Sequence, residues 1–517
     1  MDTQLHNRRA TLFVSGLQNF TENVLSKYIS EFSNLGLLPS VNKGFGIKIT
    51  PNGIEPEDVI SLDLKKLDET LKVAFGPDRI DIVSTQTNET WDSFCKTIIE
   101  ISSIVNKIGM KYNRLALCAN ISYALDNGQG NLAYAKLTKN VNEYPVEWQI
   151  QNLYESTKTK PSFENVKLEP IPHTTKSELS EADFKKYTEI GENVIKAGKL
   201  AVVTMAGGQG TRLGHNGPKG TFDLGLDSHK SIFEILCEHI KEARIKYGVD
   251  IPWYLMTSDE NNDDTVKFFE KHNYFGYPKT AVKFFKQGKL PMLDTNGKIL
   301  LDEHGMIKQA ADGHGGIFEA MRKNGILYDM QEKGIEWIFI GGVDNVLVKM
   351  VDPILTGLMV SENTLSGGKS VVKAYPEERV GVFCKKDGKP SVIEYTEISK
   401  ELSEALDENG ELLYGESHIL CNQFNISLLE EISKNKLPYH VAFKKASYLD
   451  ASGNLVEPTE PNAYKFEAFI FDAFSIADNM SILRVKREEE FAPVKNATGV
   501  DSPETARALY KAFHGIN

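Results

Sequence analysis

The segment Gly207–Gly220, GGQGTRLGHNGPKG, constrains this chain more than any other feature. It directly follows the apolar run Ala201–Ala206, which reads as a buried strand. Glycines after a strand let backbone N–H groups approach phosphate oxygens with no Cβ in the way. Arg212 and Lys219 add positive charge suited to a triphosphate and to a pyrophosphate leaving group. The spacing differs from two common nucleotide loops. Gly208, Gly210 and Gly214 give GxGxxxG rather than the dinucleotide GxGxxG. Lys219 sits between Pro218 and Gly220, not in a Walker loop. The plain alternative is a turn that only tightens strand–helix packing, which so long a string disfavours.

The surrounding pattern agrees with a loop of this kind. Strand-like runs at Ile251–Thr257, Val282–Gln287 and Ile335–Val343 alternate with helical patterns at Ser231–Tyr247, Asp263–Tyr274 and Ile317–Glu332. Such alternation implies βαβ units, an α/β fold and a mostly parallel sheet. Ligands of these sheets bind beyond the carboxyl ends of the strands. Upstream, strand-like runs at Gly46–Thr50, Leu71–Phe75, Ile80–Ser84 and Leu115–Tyr123, with a helix over Trp91–Ile108, predict a separate α+β domain over residues 1–155. A polar, proline-bearing linker is expected over 156–176, followed by a helix over Glu178–Ala197. The catalytic domain is expected over 177–430. A small β-rich domain with a terminal helix, Pro503–Phe513, is expected over 431–517.

The length of 517 residues allows large cores without metal or disulfide staples. A net charge of -12 argues against a nucleic-acid partner, which calls for a basic footprint. The five cysteines are scattered and include no CxxC pair, which points to a reducing, cytoplasmic compartment and no zinc site. No apolar stretch is long enough for a membrane span.

The string GGQGTRLGxxxPKG resembles the nucleotide loop of the eukaryotic-type UDP-sugar pyrophosphorylases, and most of all the UDP-N-acetylglucosamine type. The resemblance runs from about Phe184 to Phe513. It implies a Rossmann-like nucleotidyltransferase domain with a small β-rich C-terminal domain. It also implies nucleotide contacts from Gly207, Gly208, Gly210 and Thr211, with Arg212 and Lys219 as catalytic cations.

Further segments occur in the order this resemblance requires. Phe285–Pro291 carries Gln287, whose amide can pair with a base edge and which the resemblance sets against uracil. Ala311–Gly316 precedes a helix, where N–H groups converge; by similarity Gly313 touches the nucleoside and His314 lies near the sugar. Compared acetylhexosamine enzymes carry asparagine at the position of His314, and glucose-type members carry histidine. Asp344 stands at the end of a strand, where an aspartate can hold Mg²⁺ beside phosphate oxygens; an Asx turn is the alternative. The resemblance further assigns Gly381 and Glu394 to sugar hydroxyls, and Lys465 and Lys495 to matching family lysines, Lys495 gripping phosphate. The family's sugar-facing GN-I-x-N-H pattern is replaced by Gly415–Asn422, which leaves His418 or Asn422 as the substitute, with Asn422 the expected sugar contact.

The reaction so implied is UTP plus a sugar 1-phosphate, N-acetylglucosamine 1-phosphate favoured, giving UDP-sugar and pyrophosphate with Mg²⁺. Glucose 1-phosphate or a broad sugar range is the nearest alternative. A regulator that kept the fold and lost turnover is another, against which Arg212, Lys219, Asp344 and Lys495 all speak. The N-terminal region carries no chemical motif; homo-oligomerisation, partner binding and regulation stay open for it.

Overall fold

The computed structural model describes residues 4–14, 22–50, 53–75, 79–86, 91–107, 112–122, 153–158, 166–435, 437–450 and 452–516. The chain forms two compact units. One comprises Met1–Glu155, Pro291–Lys308 and Phe443–Tyr464; the other comprises Ser156–Leu290, Gln309–Ala442 and Lys465–Asn517.

The first unit is built on a six-stranded antiparallel sheet. Its spatial order is Leu38–Thr50, Gly53–Lys65, Leu71–Phe75, Arg79–Ser84, Gln4–Val14, Tyr112–Ser122. Strand alternation sends Leu71, Val73, Phe75, Ile80 and Ile82 to one face. There they share a core with Tyr28 and Phe32 of helix Glu22–Ser33 and with Phe94, Ile98 and Val105 of helix Trp91–Lys107. Asp81 accepts hydrogen bonds from the Arg9 guanidinium at 2.6 and 3.1 Å and from the Thr11 hydroxyl at 2.5 Å. The expected strands and helix are present, although Tyr123 and Ile108 lie outside the described residues. The excursion at 291–308 joins this unit partly through Tyr154, whose ring lies against Gly297, a residue at φ +78 with room for no Cβ.

The second unit is organised by an eleven-stranded sheet. Its first four strands are Val282–Lys286, Trp253–Thr257, Leu200–Met205 and Trp337–Gly342, all parallel. The residues of the last three are almost wholly buried and alternate between two cores. Leu200, Val202, Trp253, Leu255 and Phe339 face one; Ala201, Val203, Met205, Tyr254, Met256, Ile338 and Ile340 face the other. This two-sided burial is why these strands read as continuous apolar runs. The sheet as a whole is mixed, which corrects the expectation of a mostly parallel one. The long strand Glu416–Asn425 runs antiparallel to both Trp337–Gly342 and Ser366–Val372.

Segments expected elsewhere also enter this sheet. Leu168–Pro170 and Thr174–Thr175, in the stretch read as a linker, pair with Val382–Lys386 and Ser481–Arg484. Ser481–Arg484, expected in a separate C-terminal domain, lies parallel to Ser366–Val372. Residues 431–517 are thus divided between the two units rather than gathered in one domain. Pairing partners far away in the chain leave no local signal, so composition alone mislocated these pieces. The helix expected over Ile317–Glu332 is two, Ile317–Lys323 and Ile326–Glu332, broken at Gly325 with φ +70.

Candidate active site at the carboxyl ends of the strands

Chain order reverses across the sheet at Leu200–Met205, whose neighbours are the strands Trp253–Thr257 and Trp337–Gly342. A crevice forms at such a switch point, outside the carboxyl ends. Three expected site segments leave the sheet there, the glycine loop after Met205, Gln287 after Lys286 and Gly342–Asn345, joined by residues 258–261 after Thr257.

The glycine loop folds back on itself. Gly210 N–H donates to Gly217 C=O at 2.8 Å, and Lys219 N–H donates to Gly208 C=O at 3.1 Å. Gly208, Thr211 and Arg212 remain exposed on its outside. Asn261 secures the loop from the next strand: its Nδ2 donates to Ala206 C=O at 2.9 Å and to Gly208 C=O at 3.3 Å. The sequence reading missed Asn261; its one signal was an asparagine directly after a strand and at a helix start. Gln287 lies against the loop, since a Cβ on Gly207 would come within 2.6 Å of its Oε1. A side chain at 207 would therefore displace the Gln287 amide from its present place.

Next to the loop, a cavity of about 270 Å³ is lined by His314, Asp344, Gly381, Glu394 and Lys495, five of the expected residues. Lys219 reaches towards it, with Nζ 3.8 Å from Asp344 Oδ2. Asp344 and Lys495 come from distant segments tied together by the bond from Val494 N–H to Asp344 C=O at 2.9 Å. Lys495 also pairs with Asp501 at 3.2 Å. Gly381 C=O accepts from His418 N–H at 2.8 Å, and a Cβ on Gly381 would approach Glu394 Oε1 at 3.1 Å. Burial, and then the charge of Glu397, raises the Glu394 carboxyl above its ordinary range.

The histidines are held in defined states. His314 Nδ1 accepts from Ile470 N–H at 3.0 Å, so its proton sits on Nε2. Its ring stacks on Phe469, with centroids 5.1 Å apart. Burial lowers its pKa to about 3, and that of His418 to about 4, so both rings are neutral at pH 7. His418 lines the cavity and places Nε2 3.0 Å from Asn422 Oδ1. Asn422, expected to face the sugar, is instead fully buried behind His418 and is absent from the cavity wall. Residues 419–421 stand opposite the single Lys369 between the pairs Gly368↔Asn422 and Ser370↔His418, a bulge for which the sequence carries no local signal. Leu420 there takes φ +55. Lys465 is also absent from the cavity wall and pairs with Glu467 at 2.8 Å. Gly313 lies at φ +85 under Ala468 and Glu467, and Gly315 N–H donates to Ala468 C=O at 2.8 Å.

Beside Gly313, Asp312 is buried with Oδ1 unpartnered among the described residues, and burial pushes its carboxyl up to about 6. Because the folded value exceeds the ordinary one, the native state binds the proton more tightly. The stability this group contributes is present at low pH and is lost as pH rises from about 4 through about 6. Asp312→Asn removes that dependence. Its unfolding free energy relative to the parent protein is expected to rise by about 1–2 kcal/mol between pH 4.5 and 7.5. Thermal unfolding of both proteins at the two pH values checks this, and a difference that stays constant with pH would refute it.

Among the described residues no cluster of three or more His, Cys, Asp or Glu could hold a metal by itself. Asp344 is a single half-buried carboxylate on the cavity wall. That fits Mg²⁺, which commonly takes one or two carboxylates and completes its shell with phosphates and water. No described helix is long and apolar enough to cross a membrane.

Comparison with known proteins agrees with this geometry. The chain is 40% identical over 362 residues to the human UDP-N-acetylhexosamine pyrophosphorylase-like protein 1, across 67% of this chain and 71% of that protein. It is 39% identical over 359 residues to the Saccharomyces cerevisiae UDP-N-acetylglucosamine pyrophosphorylase, across 67% and 75%. The inhibitor-bound crystal structure of the Trypanosoma brucei uridine diphosphate N-acetylglucosamine pyrophosphorylase superposes with a TM-score of 0.62 at 31% identity, across 70% of this chain and 75% of that one. With residues 149–501 matching its family model, the chain belongs to the UTP–glucose-1-phosphate uridylyltransferase family.

Proposed function

We propose that the protein transfers the uridylyl group of UTP to a sugar 1-phosphate, with N-acetylglucosamine 1-phosphate as the favoured acceptor. The observation that carries this reading is the convergence of the closed glycine loop, Gln287, Lys219, Asp344 and Lys495 at one edge of the sheet. The names of the relatives supply the sugar.

In this reading a phosphate oxygen of the sugar phosphate attacks the α-phosphorus in line. The new O–P bond forms as the bond to pyrophosphate breaks. The attacking oxygen is already ionised at neutral pH, so no general base is called for. The protein's part is positioning and charge neutralisation. The glycine loop, with Gly207, Gly208, Gly210 and Thr211, cradles phosphates, and Gln287 and Gly313 read the uridine. Arg212, Lys219 and Lys495 offset the growing charge, with Lys465 as an outer nucleotide contact. Mg²⁺ held by Asp344 would neutralise phosphate charge. Glu394 and Gly381 face the sugar hydroxyls, and His314 offers an Nε2–H donor.

One observation favours glucose 1-phosphate as the second reading. Asn422 is turned away from the cavity. Asn345, the amide that does line it, donates to Glu490 C=O and accepts from Leu347 and Ala492 N–H. Among the described residues no free side-chain amide therefore lines the cavity to meet an acetamido group, since the unpartnered Nδ2 of Asn422 is buried behind His418. A cytoplasmic setting is part of the proposal, supported by the free thiols of Cys237, Cys384 and Cys421. The first compact unit would serve oligomerisation, partner binding or regulation.

The test is pyrophosphate release from UTP and Mg²⁺ with the 1-phosphates of N-acetylglucosamine, N-acetylgalactosamine, glucose, galactose and xylose. Turnover is expected to be highest with N-acetylglucosamine 1-phosphate, to vanish in excess chelator and to return with added Mg²⁺. A preference for glucose 1-phosphate of more than about tenfold in kcat/KM would establish the second reading. Full activity in chelator would remove the role given to Asp344.

A further inference from the structure

At the root of the strap that carries Lys495 lies a largely buried cluster of charges. Lys369, in strand Ser366–Val372, has no exposed surface. Its ammonium lies 2.5 Å from Glu490 Oε2 and 2.7 Å from Asp352 Oδ2, and it donates to Lys349 C=O at 3.2 Å. Lys176 approaches the same two carboxylates, at 3.1 Å to Glu490 and 3.4 Å to Asp352. Asp352 also caps helix Pro353–Glu362 by accepting from Ile354 N–H at 2.9 Å. Lys369, Asp352 and Glu490 are buried while Lys176 is partly exposed; desolvating three charges is costly, and well-packed apolar residues would commonly be at least as stable. A cluster of this kind is therefore better explained by what it holds in place than by stability.

What it holds is the start of the strap. Glu490 is followed directly by Phe491–Lys495, and its C=O accepts from Asn345 Nδ2 at 2.7 Å. Asn345 Oδ1 accepts from Ala492 N–H at 2.9 Å, and Val346 N–H donates to Ala492 C=O at 3.2 Å. Asn345 and Val346 thus join the Asp344 loop to the strap, while the Glu490 side chain anchors the strap's root to the sheet through Lys369. We propose that Lys369 is a positioning residue for the transfer reaction. Through Glu490 it fixes where the strap sets Lys495 relative to Asp344, without itself touching the cavity. This rests on the role given above to Lys495.

A double-mutant cycle between Lys369→Met and Lys495→Ala tests it, with kcat and KM for UTP as readouts. Lys369→Met alone is expected to lower kcat by about 10- to 100-fold, with KM for UTP within about threefold of the parent. In the Lys495→Ala background the same substitution is expected to add less than about twofold, because the group it positions is gone. Full multiplication of the two losses, or an unchanged kcat in Lys369→Met, would overturn the inference. An unchanged kcat in Lys495→Ala alone would instead overturn the reading of Lys495. Removing one partner of a buried cluster can compromise folding. The isosteric Glu490→Gln, which removes charge but keeps shape, therefore runs through the same cycle and decides the matter if Lys369→Met does not fold.

Discussion

Lys219→Ala is expected to lower kcat for UDP-sugar formation by about 10²- to 10³-fold, or about 2.7–4 kcal/mol of transition-state stabilisation. Two features of the structure set this size. The loop is closed by the bond from Lys219 N–H to Gly208 C=O, so the lysine backbone is fixed where the glycines expose their amides. Its ammonium then points to the cavity edge, 3.8 Å from Asp344 Oδ2. A cation held there in advance needs no reorganisation as charge builds on the phosphates. The competing account makes Lys219–Asp344 an ordinary ion pair. Both side chains are partly exposed, at 19% and 25%, and such pairs contribute only about 0–1 kcal/mol to stability. The two accounts therefore separate cleanly. A large fall in kcat with a melting temperature close to the parent's supports the catalytic role. A near-normal kcat in folded Lys219→Ala protein would show that the loop assignment is wrong.

Gly313→Ala should be nearly as severe, and for a different reason. Gly313 has φ +85 and ψ 172, a region almost closed to residues with a side chain. A Cβ there would lie 2.9 Å from both Ala468 N and the Glu467 Cβ, and nearer still to Ala468 C=O. Ala468 cannot give way easily, because its N–H donates to Asp312 C=O at 2.7 Å and its C=O accepts from Gly315. The backbone from Asp312 to Gly316 must move instead, and with it the proposed uridine contact and His314. Strain and lost contacts together are expected to cost about 2–3 kcal/mol of stability and to lower kcat/KM for UTP by about 100-fold. Isothermal titration with UTP and thermal unfolding would check both parts. Parent-like UTP affinity in Gly313→Ala would remove Gly313 from the nucleotide site.

The parts of this molecule that could be read from the chain are those whose physics is local. Leu200–Met205 reads as a strand because both its faces are buried, so every residue is apolar or small. The glycine loop is legible because glycines in a run after an apolar strand mark a loop whose backbone is left open to close approach. Asp344 and Gln287 could be located because ligands gather at the ends of parallel strands. Asn261 was not legible: an asparagine after a strand is common, and only the fold brings its amide to Ala206 and Gly208.

By itself the sequence determined the βαβ core, the glycine loop and which strand ends open onto the crevice. These follow from hydrophobic periodicity and from the steric freedom of glycine, both written over a few consecutive residues. Tertiary structure alone decided the rest. It set His418 on the cavity wall and Asn422 behind it, at a bulge where residues 419–421 stand opposite Lys369 alone. It drew Ser481–Arg484 into the large sheet. It brought Lys369, Asp352, Glu490 and Lys176 into one largely buried cluster at the root of the strap that carries Lys495. Each depends on contacts between residues far apart in the chain, and a linear pattern carries no record of which distant partner a buried charge or a strand edge will meet.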